Sequence, residues 1–238
     1  MKKTFAIALV LGIVLNASAQ DGKSIFRADE NAKLTVATAG DGLFNLNLLS
    51  HIGYGWHFTK SPDFTPNSAG NGEFFFNVLE FELRPWDFMG MNLGVDMEFN
   101  HFHSDSHAFQ QNSENFIKAV PFTDLVENAT KQKSGIFNFG LNFPLVIKGY
   151  FSRLSLGLGA ELSLYLTGDN HYSFVTGNKK TAITETSPQF KTLGYGLIAS
   201  VSYSGLGLYF KYYPSRPNIL PSESISLSYW TMGISFGF

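Results

Sequence analysis

Along most of this chain, bulky apolar residues return at every second position. Between Leu43 and Phe58 the even positions carry Phe44, Leu46, Leu48, Ile52, Tyr54, Trp56 and Phe58, against Asn45, Asn47, His51, Gly53 and Gly55. A β-strand turns successive side chains to opposite faces, so each such run predicts a strand with one apolar face. Seven further runs follow. Phe75, Leu79, Phe81 and Leu83 oppose Glu80, Glu82 and Arg84, and Met91, Leu93, Val95, Met97 and Phe99 oppose Asn92, Asp96, Glu98 and Asn100. Phe137 to Ile147 alternates with Asn138, Asn142 and Lys148. Leu154 to Leu166 places leucine or alanine against Arg153, Ser155, Gly157, Gly159, Glu161 and Ser163. Leu193 to Tyr203 and Leu206 to Tyr212 continue the pattern, the second with Lys211 on its polar parity. The last run sets Trp230, Met232, Ile234, Phe236 and Phe238 against Thr231, Gly233, Ser235 and Gly237.

The connections alternate as regularly as the residues. Pro85–Met89, the stretch around Gly149, and Ser204-Gly205 are tight, whereas Thr59–Gly72, His101–Ser134, Gly168–Gln189 and Pro214–Glu223 are long. Short turns on one side and long loops on the other predict an all-β fold: an eight-stranded antiparallel up-and-down transmembrane β-barrel over residues 43–238. Tyr54, Trp56, Phe58, Tyr195 and Tyr212 near one rim, and Trp86, Phe88, Tyr150 and Tyr203 near the other, suit two interfacial belts.

Composition strengthens the membrane reading. Aromatic residues make up 16% of the chain and charged residues only 15%, where soluble domains carry roughly 25% charged residues. Lys2 and Lys3, the short apolar run Phe5–Leu15 and the small residues Ala17-Ser18-Ala19 read as a signal peptide over 1–19. Residues 20–42 are then a polar N-terminal segment on the periplasmic side, read as a tail or a small plug. Loss of the signal leaves 15 basic against 19 acidic residues, and no basic tract suits nucleic acid. Cysteine is absent, which excludes disulfides and thiol chemistry.

Barrels of eight strands have an interior that side chains can fill. The inward parity predicts a lumen charge network of Glu80, Glu82, Arg84, Asp96, Glu98, Lys148, Arg153, Glu161 and Lys211. Like charges facing each other across a ladder repel, so Arg153 and Lys211 are expected to reach across. His101, His103, Asp105 and His107 recur at every second residue, and imidazole with carboxylate on one face suits Zn or Cu. With Ser104 or Ser106 the same run offers a serine, histidine and acid set for a lipid A-modifying hydrolase or acyltransferase at the outer rim. On a strand, however, Ser104 and His103 diverge. No cofactor is expected.

These strands, with the terminal Gly237-Phe238, resemble the small outer-membrane β-barrel family, similar to the OmpA transmembrane domain and PorT-like barrels. The resemblance covers residues 43–238. It implies residence in the bacterial outer membrane, contact with its lipid, and recognition of the last strand, through Trp230, Phe236 and Phe238, by the barrel-assembly machinery. The expected role is structural or surface interaction with an unidentified ligand through the long loops. The alternatives are a narrow pore for small solutes or ions and, third, the rim enzyme.

Overall fold

The computed structural model describes residues 27–28, 34–37, 44–60, 70–111, 117–186, 193–213 and 228–237. The expected signal peptide, most of residues 20–42 and Phe238 lie outside them. The elements in chain order are β1 (Arg27–Ala28), β2 (Leu34–Ala37), β3 (Phe44–Leu48), β4 (His51–Lys60), β5 (Gly72–Trp86), β6 (Met89–Ser104), β7 (His107–Gln111) and β8 (Ile117–Pro121). They continue with α1 (Phe122–Leu125), β9 (Thr130–Phe151), β10 (Leu154–Thr176), β11 (Lys179–Thr186), β12 (Leu193–Tyr203), β13 (Leu206–Tyr213) and β14 (Ser228–Gly237).

Antiparallel pairing runs from β4 through β5, β6, β9, β10, β12 and β13 to β14, and β14 pairs back onto β4 from Ser228 against Lys60 to Gly237 against His51. The sheet is therefore closed into a barrel of eight strands. β3 and β4 act as one strand broken at Leu49 and Ser50, because both pair with β5. Closure leaves no free edge along the wall, which is how a sheet meets its hydrogen-bonding needs in lipid.

The wall follows the alternation, with register slips on β5 and, between Tyr165 and Thr167, on β10. On β6, β9, β12, β13 and β14 alternate residues turn inward, mostly polar or small but with Phe102, Ile136, Tyr209, Tyr213 and Tyr229 among them, and the remaining large apolar residues turn outward. On β5 the register slips between Asn77 and Leu79. Leu49, at φ 51°, bulges opposite the slip, and its amide donates to the Val78 carbonyl at 3.4 Å. An extra residue flips the parity of whatever follows it. Beyond this bulge Glu80, Glu82 and Arg84 keep the inward parity. On its near side Glu73, Phe75 and Asn77 face inward. Phe75 was expected among the outward residues; the bulge puts it inside.

Arg153 is corrected in the same way. It was expected in the lumen, but Ser152 and Arg153 form the turn between β9 and β10, Ser152 takes φ 59°, and Arg153 is exposed. Its carbonyl accepts from the Ser204 amide of the neighbouring turn. β9 and β10 run 22 and 23 residues, about twice what a tilted strand needs to cross a bilayer. Their far halves, joined by β11, stand beyond the barrel as a three-stranded extension. β7 and β8 form a separate hairpin within the stretch expected as a long loop, and α1 is a single helical turn there. At the opposite end β2 pairs with β3 on the edge not used by β5, so this part of the N-terminal segment lies along the wall.

Candidate functional site

The barrel interior holds the chemistry, arranged as layers. Lys211, from β13, is at the centre of the charged layer. Its Nζ lies 2.5 Å from Glu98 Oε2, 3.2 Å from Glu73 Oε1 and 3.6 Å from Glu161 Oε2. These four side chains are 0–1% exposed. Strands β5, β6 and β10 supply the carboxylates, so a single ammonium ties four sectors of the ring together. Further donors share the load: Asn142 Nδ2 to Glu98 Oε2 at 2.5 Å, Asn100 Nδ2 to Glu98 Oε1 at 2.7 Å, and Tyr213 Oη to Glu161. A charge taken out of water is tolerable when paired and hydrogen-bonded, as Glu98 and Glu161 are; Glu73 has the Lys211 ammonium but no hydrogen-bond donor among the described residues.

Toward the short-turn side, Phe75 and Tyr209 lie across the lumen edge to face, their ring centroids 5.2 Å apart, with the Lys211 ammonium 4.9 Å from the Phe75 ring. Glycines make the room. A Cβ on Gly53 would stand 2.3 Å from Phe75 Cε1, one on Gly55 2.3 Å from Tyr209 Oη, and one on Gly233 2.4 Å from Tyr209 Cζ. The polar parity of β4 and β14 is small because two aromatic rings are folded against it.

Toward the long-loop side, His57 is fully buried. It lies 2.8 Å from Thr231 Oγ1 through Nδ1 and 2.9 Å from Asn100 Oδ1 through Nε2, and it stacks on Phe102. Phe102, Ile136, Tyr165, Tyr213 and Tyr229 then close into one apolar cluster with Phe109 and Ile117, which belong to the β7–β8 hairpin. Ser134 Oγ accepts from the Phe109 amide at 2.8 Å, and Asn170 Nδ2 donates to the Phe109 carbonyl at 2.7 Å. The hairpin thus folds over the barrel mouth and seals it with apolar side chains.

Below the Phe75–Tyr209 layer the interior opens into a cavity of about 280 Å³. Asp96 accepts from Asn77 Nδ2 at 2.7 Å there, and Asn77 Oδ1 in turn accepts from Ser50. Lys148 pairs with Glu80 at 3.3 Å. Glu82 accepts from Tyr150 Oη and from Asn45, and the Arg84 guanidinium stacks 4.2 Å over the Tyr150 ring.

Of the nine expected network residues, the fold brings Glu98, Glu161 and Lys211 into one layer. It gathers Glu80, Glu82, Arg84 and Lys148 near the turn end, puts Asp96 between, and leaves Arg153 outside. Glu73, central to the charged layer, was missed. It begins Glu73-Phe74-Phe75-Phe76, where apolar residues occupy both parities and alternation assigns no face.

The histidine run behaves differently from expectation. His103 Nε2 lies 2.7 Å from Asp105 Oδ1, and His107 Nδ1 lies 2.9 Å from Ser106 Oγ. Among the described residues no three histidine or carboxylate side chains converge on a common metal position, so His101, His103, Asp105 and His107 do not form one site. Ser104 is buried on the lumen parity, its Oγ accepting from the amides of Ser106 and His107, and turns away from the His103–Asp105 pair.

No family model matches the chain, and no curated protein matches it. Among solved structures it is similar to Ail, the attachment invasion locus protein of Yersinia pestis, at 11% identity, covering 82% of this chain and 97% of that one with a TM-score of 0.35. It is also similar to Neisserial surface protein A, at 16% identity, covering 84% and 99% with a TM-score of 0.36. The strand pairings, and not this distant likeness, establish the barrel.

Proposed function

We propose that this chain is a bacterial outer-membrane barrel that passes no solute and serves a structural or surface-interaction role through its outer extension, without catalysis. One observation carries the reading: the molecule is apolar outside and charged inside. Glu73, Glu98 and Lys211 are almost wholly buried, while Leu158 is 69% exposed and Leu145, Ile147, Leu197, Leu208, Phe210 and Met232 are exposed with it. Soluble proteins rarely leave more than a few hundred Å² of contiguous apolar surface in water. A complete ring of it suits lipid. The charged layer, the Phe75–Tyr209 layer and the sealed mouth are three successive obstacles to a solute.

The outward Trp230 and Phe236 of β14 fit recognition by the barrel-assembly machinery. The long-loop end, where the paired strands β7–β8 and β9–β11 stand, is the natural place for a surface ligand.

Single-channel recording on the refolded chain tests the reading. A silent bilayer, with folding verified by heat-modifiable gel migration, is expected. Discrete, reproducible steps overturn it in favour of a narrow pore, which the 280 Å³ cavity reaching toward Gly205 and Gly237 would then serve as a vestibule.

A further inference from the structure

The outer extension has two faces, and the pairing register decides which residues share each. Tyr172 and Phe174 of β10 pack with Ala108 of β7 and Phe122 of α1, under the mouth hairpin. Ser173 and Val175, at the alternate positions, therefore turn to the outside. Ser173 pairs with Lys133 of β9 and with Ala182 of β11, and Val175 pairs with Lys180 of β11. Lys133 shares the parity of Phe137, Phe139, Leu145 and Ile147, and β9 runs without an inserted residue between Lys133 and Ile147. The face that meets lipid lower on the wall thus continues unbroken up to Lys133.

The character of this face changes over a short rise. Phe74, Phe99 and Phe139 form one row across β5, β6 and β9, and Phe137 stands one row higher. Lys133 lies four residues beyond Phe137. Four residues of strand rise about 13 Å, and a tilt of about 35–45° reduces this to about 10 Å along the membrane normal. A lysine stem covers much of that distance along apolar surface while its ammonium stays in the polar layer. Lys133 and Lys180 are both exposed, and among the described residues neither makes an ion pair. Of the acids on this side, Asp105 is held by His103 at 2.7 Å, and Asp169 lies two rows below Ser173, opposite Phe137. Lys180 is a diagonal neighbour of Ser173, about 7–8 Å away, so two ammoniums and a hydroxyl bracket one small area.

We propose that Lys133 and Lys180, with Ser173 between them, hold a phosphate of an outer-leaflet lipid. The proposal rests on the outer-membrane reading above. Phosphate is the anion met at headgroup depth, and lysine takes it as a compact point charge. The orientation of the pair selects the lipid: both lysines lie on the face that continues the wall, whereas Lys179, paired with Thr176, is on the opposite face. A soluble polyanion has no reason to prefer the first face over the second.

The test is titration of the folded chain in detergent micelles with bisphosphorylated lipid A, and with the same lipid freed of both phosphates, the first bound lipid being read by native mass spectrometry. The phosphorylated lipid should bind about tenfold more tightly. Lys133→Gln and Lys180→Gln should each weaken it about fivefold. Lys179→Gln removes the same charge one position away on the other face, and should change affinity less than about twofold. Inorganic phosphate at equal concentration should not displace the lipid. Equal affinity for the two lipids overturns the proposal. So does a Lys179→Gln effect as large as that of Lys180→Gln, or displacement by inorganic phosphate, which would make the site one for a free anion. Heat-modifiable gel migration verifies folding of each protein. A parent chain with neither folded migration nor any bound lipid removes the outer-membrane reading itself, whereas a folded chain indifferent to the phosphates removes only this site.

Discussion

Lys211 Nζ meets Glu98 Oε2 at 2.5 Å although the residues are 113 positions apart and their strands stand across the ring from each other. β6 and β13 are separated by four steps around the wall in either direction, so this contact spans the full width of the lumen. Lys211→Met would leave Glu73, Glu98 and Glu161 buried without their common counter-charge. A loss of about 3–5 kcal/mol is expected, the usual result of breaking a buried pair from one side. Urea unfolding in detergent, read by tryptophan fluorescence, measures it. The Lys211→Met, Glu98→Gln double variant should lose less than the sum of the single changes.

Gly55 and Gly233 are required for a different reason. Valine at either position would enter the space held by the Tyr209 ring. Overfilling of this kind costs about 1–3 kcal/mol. Met232→Leu, on the neighbouring outward position, should stay close to the parent in the same unfolding experiment.

The sealed mouth and the filled middle are independent barriers. Replacing the β7–β8 hairpin by a short linker should therefore leave single-channel recordings silent. Combining that replacement with Phe75→Ala and Tyr209→Ala should still leave them silent, because Lys211 with Glu73, Glu98 and Glu161 remains across the lumen. Conductance from the hairpin replacement alone would mean that the charged layer does not block passage.

His171 gives the outer extension a pH dependence. Its folded pKa lies below the unfolded value of 6.5, through burial and through His101 and His103, with Asp169 acting in the opposite sense. The unfolded state therefore binds more protons, and stability falls as pH drops from 6.5 toward the folded pKa. Lower amide protection, after correction for the intrinsic pH dependence of exchange, is expected at Lys133–Gly135 and Tyr172–Ser173 on going from pH 7 to pH 5. His171→Gln should flatten that response.

Topology is open to direct test. A protease site inserted at Asn178, at the tip of the β10–β11 hairpin, should be cut on intact cells, and one at Gly205 should be protected. The opposite pattern would invert the orientation.

The wall was legible in the sequence because alternation depends only on which residues meet lipid. Strands such as Leu154–Leu166 or Leu206–Tyr212 state both faces without help from their neighbours. The interior was legible in part. Glu98, Glu161 and Lys211 are on clean alternating runs, so their faces were readable, but which acids meet which base depends on the stagger between strands. Glu73 and Phe75 were hidden by the parity change at Val78, where apolar residues on both sides mask the slip. Arg153 misled because one polar residue at a strand end fits a turn as well as a lumen. The hairpin over the mouth left little trace, since Phe109, Ile117 and Phe122 show no period of two and are buried only by the barrel beneath them.

Barrel closure pairs residues 51–60 with residues 228–237, and His57 touches Thr231 across 174 positions. The first wall strand meets its second neighbour only when the last strand is placed. Until then both ends of the sheet offer open hydrogen-bonding edges, and His57 has no threonine to join. Completion of this molecule is therefore a late event that depends on protection of those edges, and the step most exposed to failure is the last one.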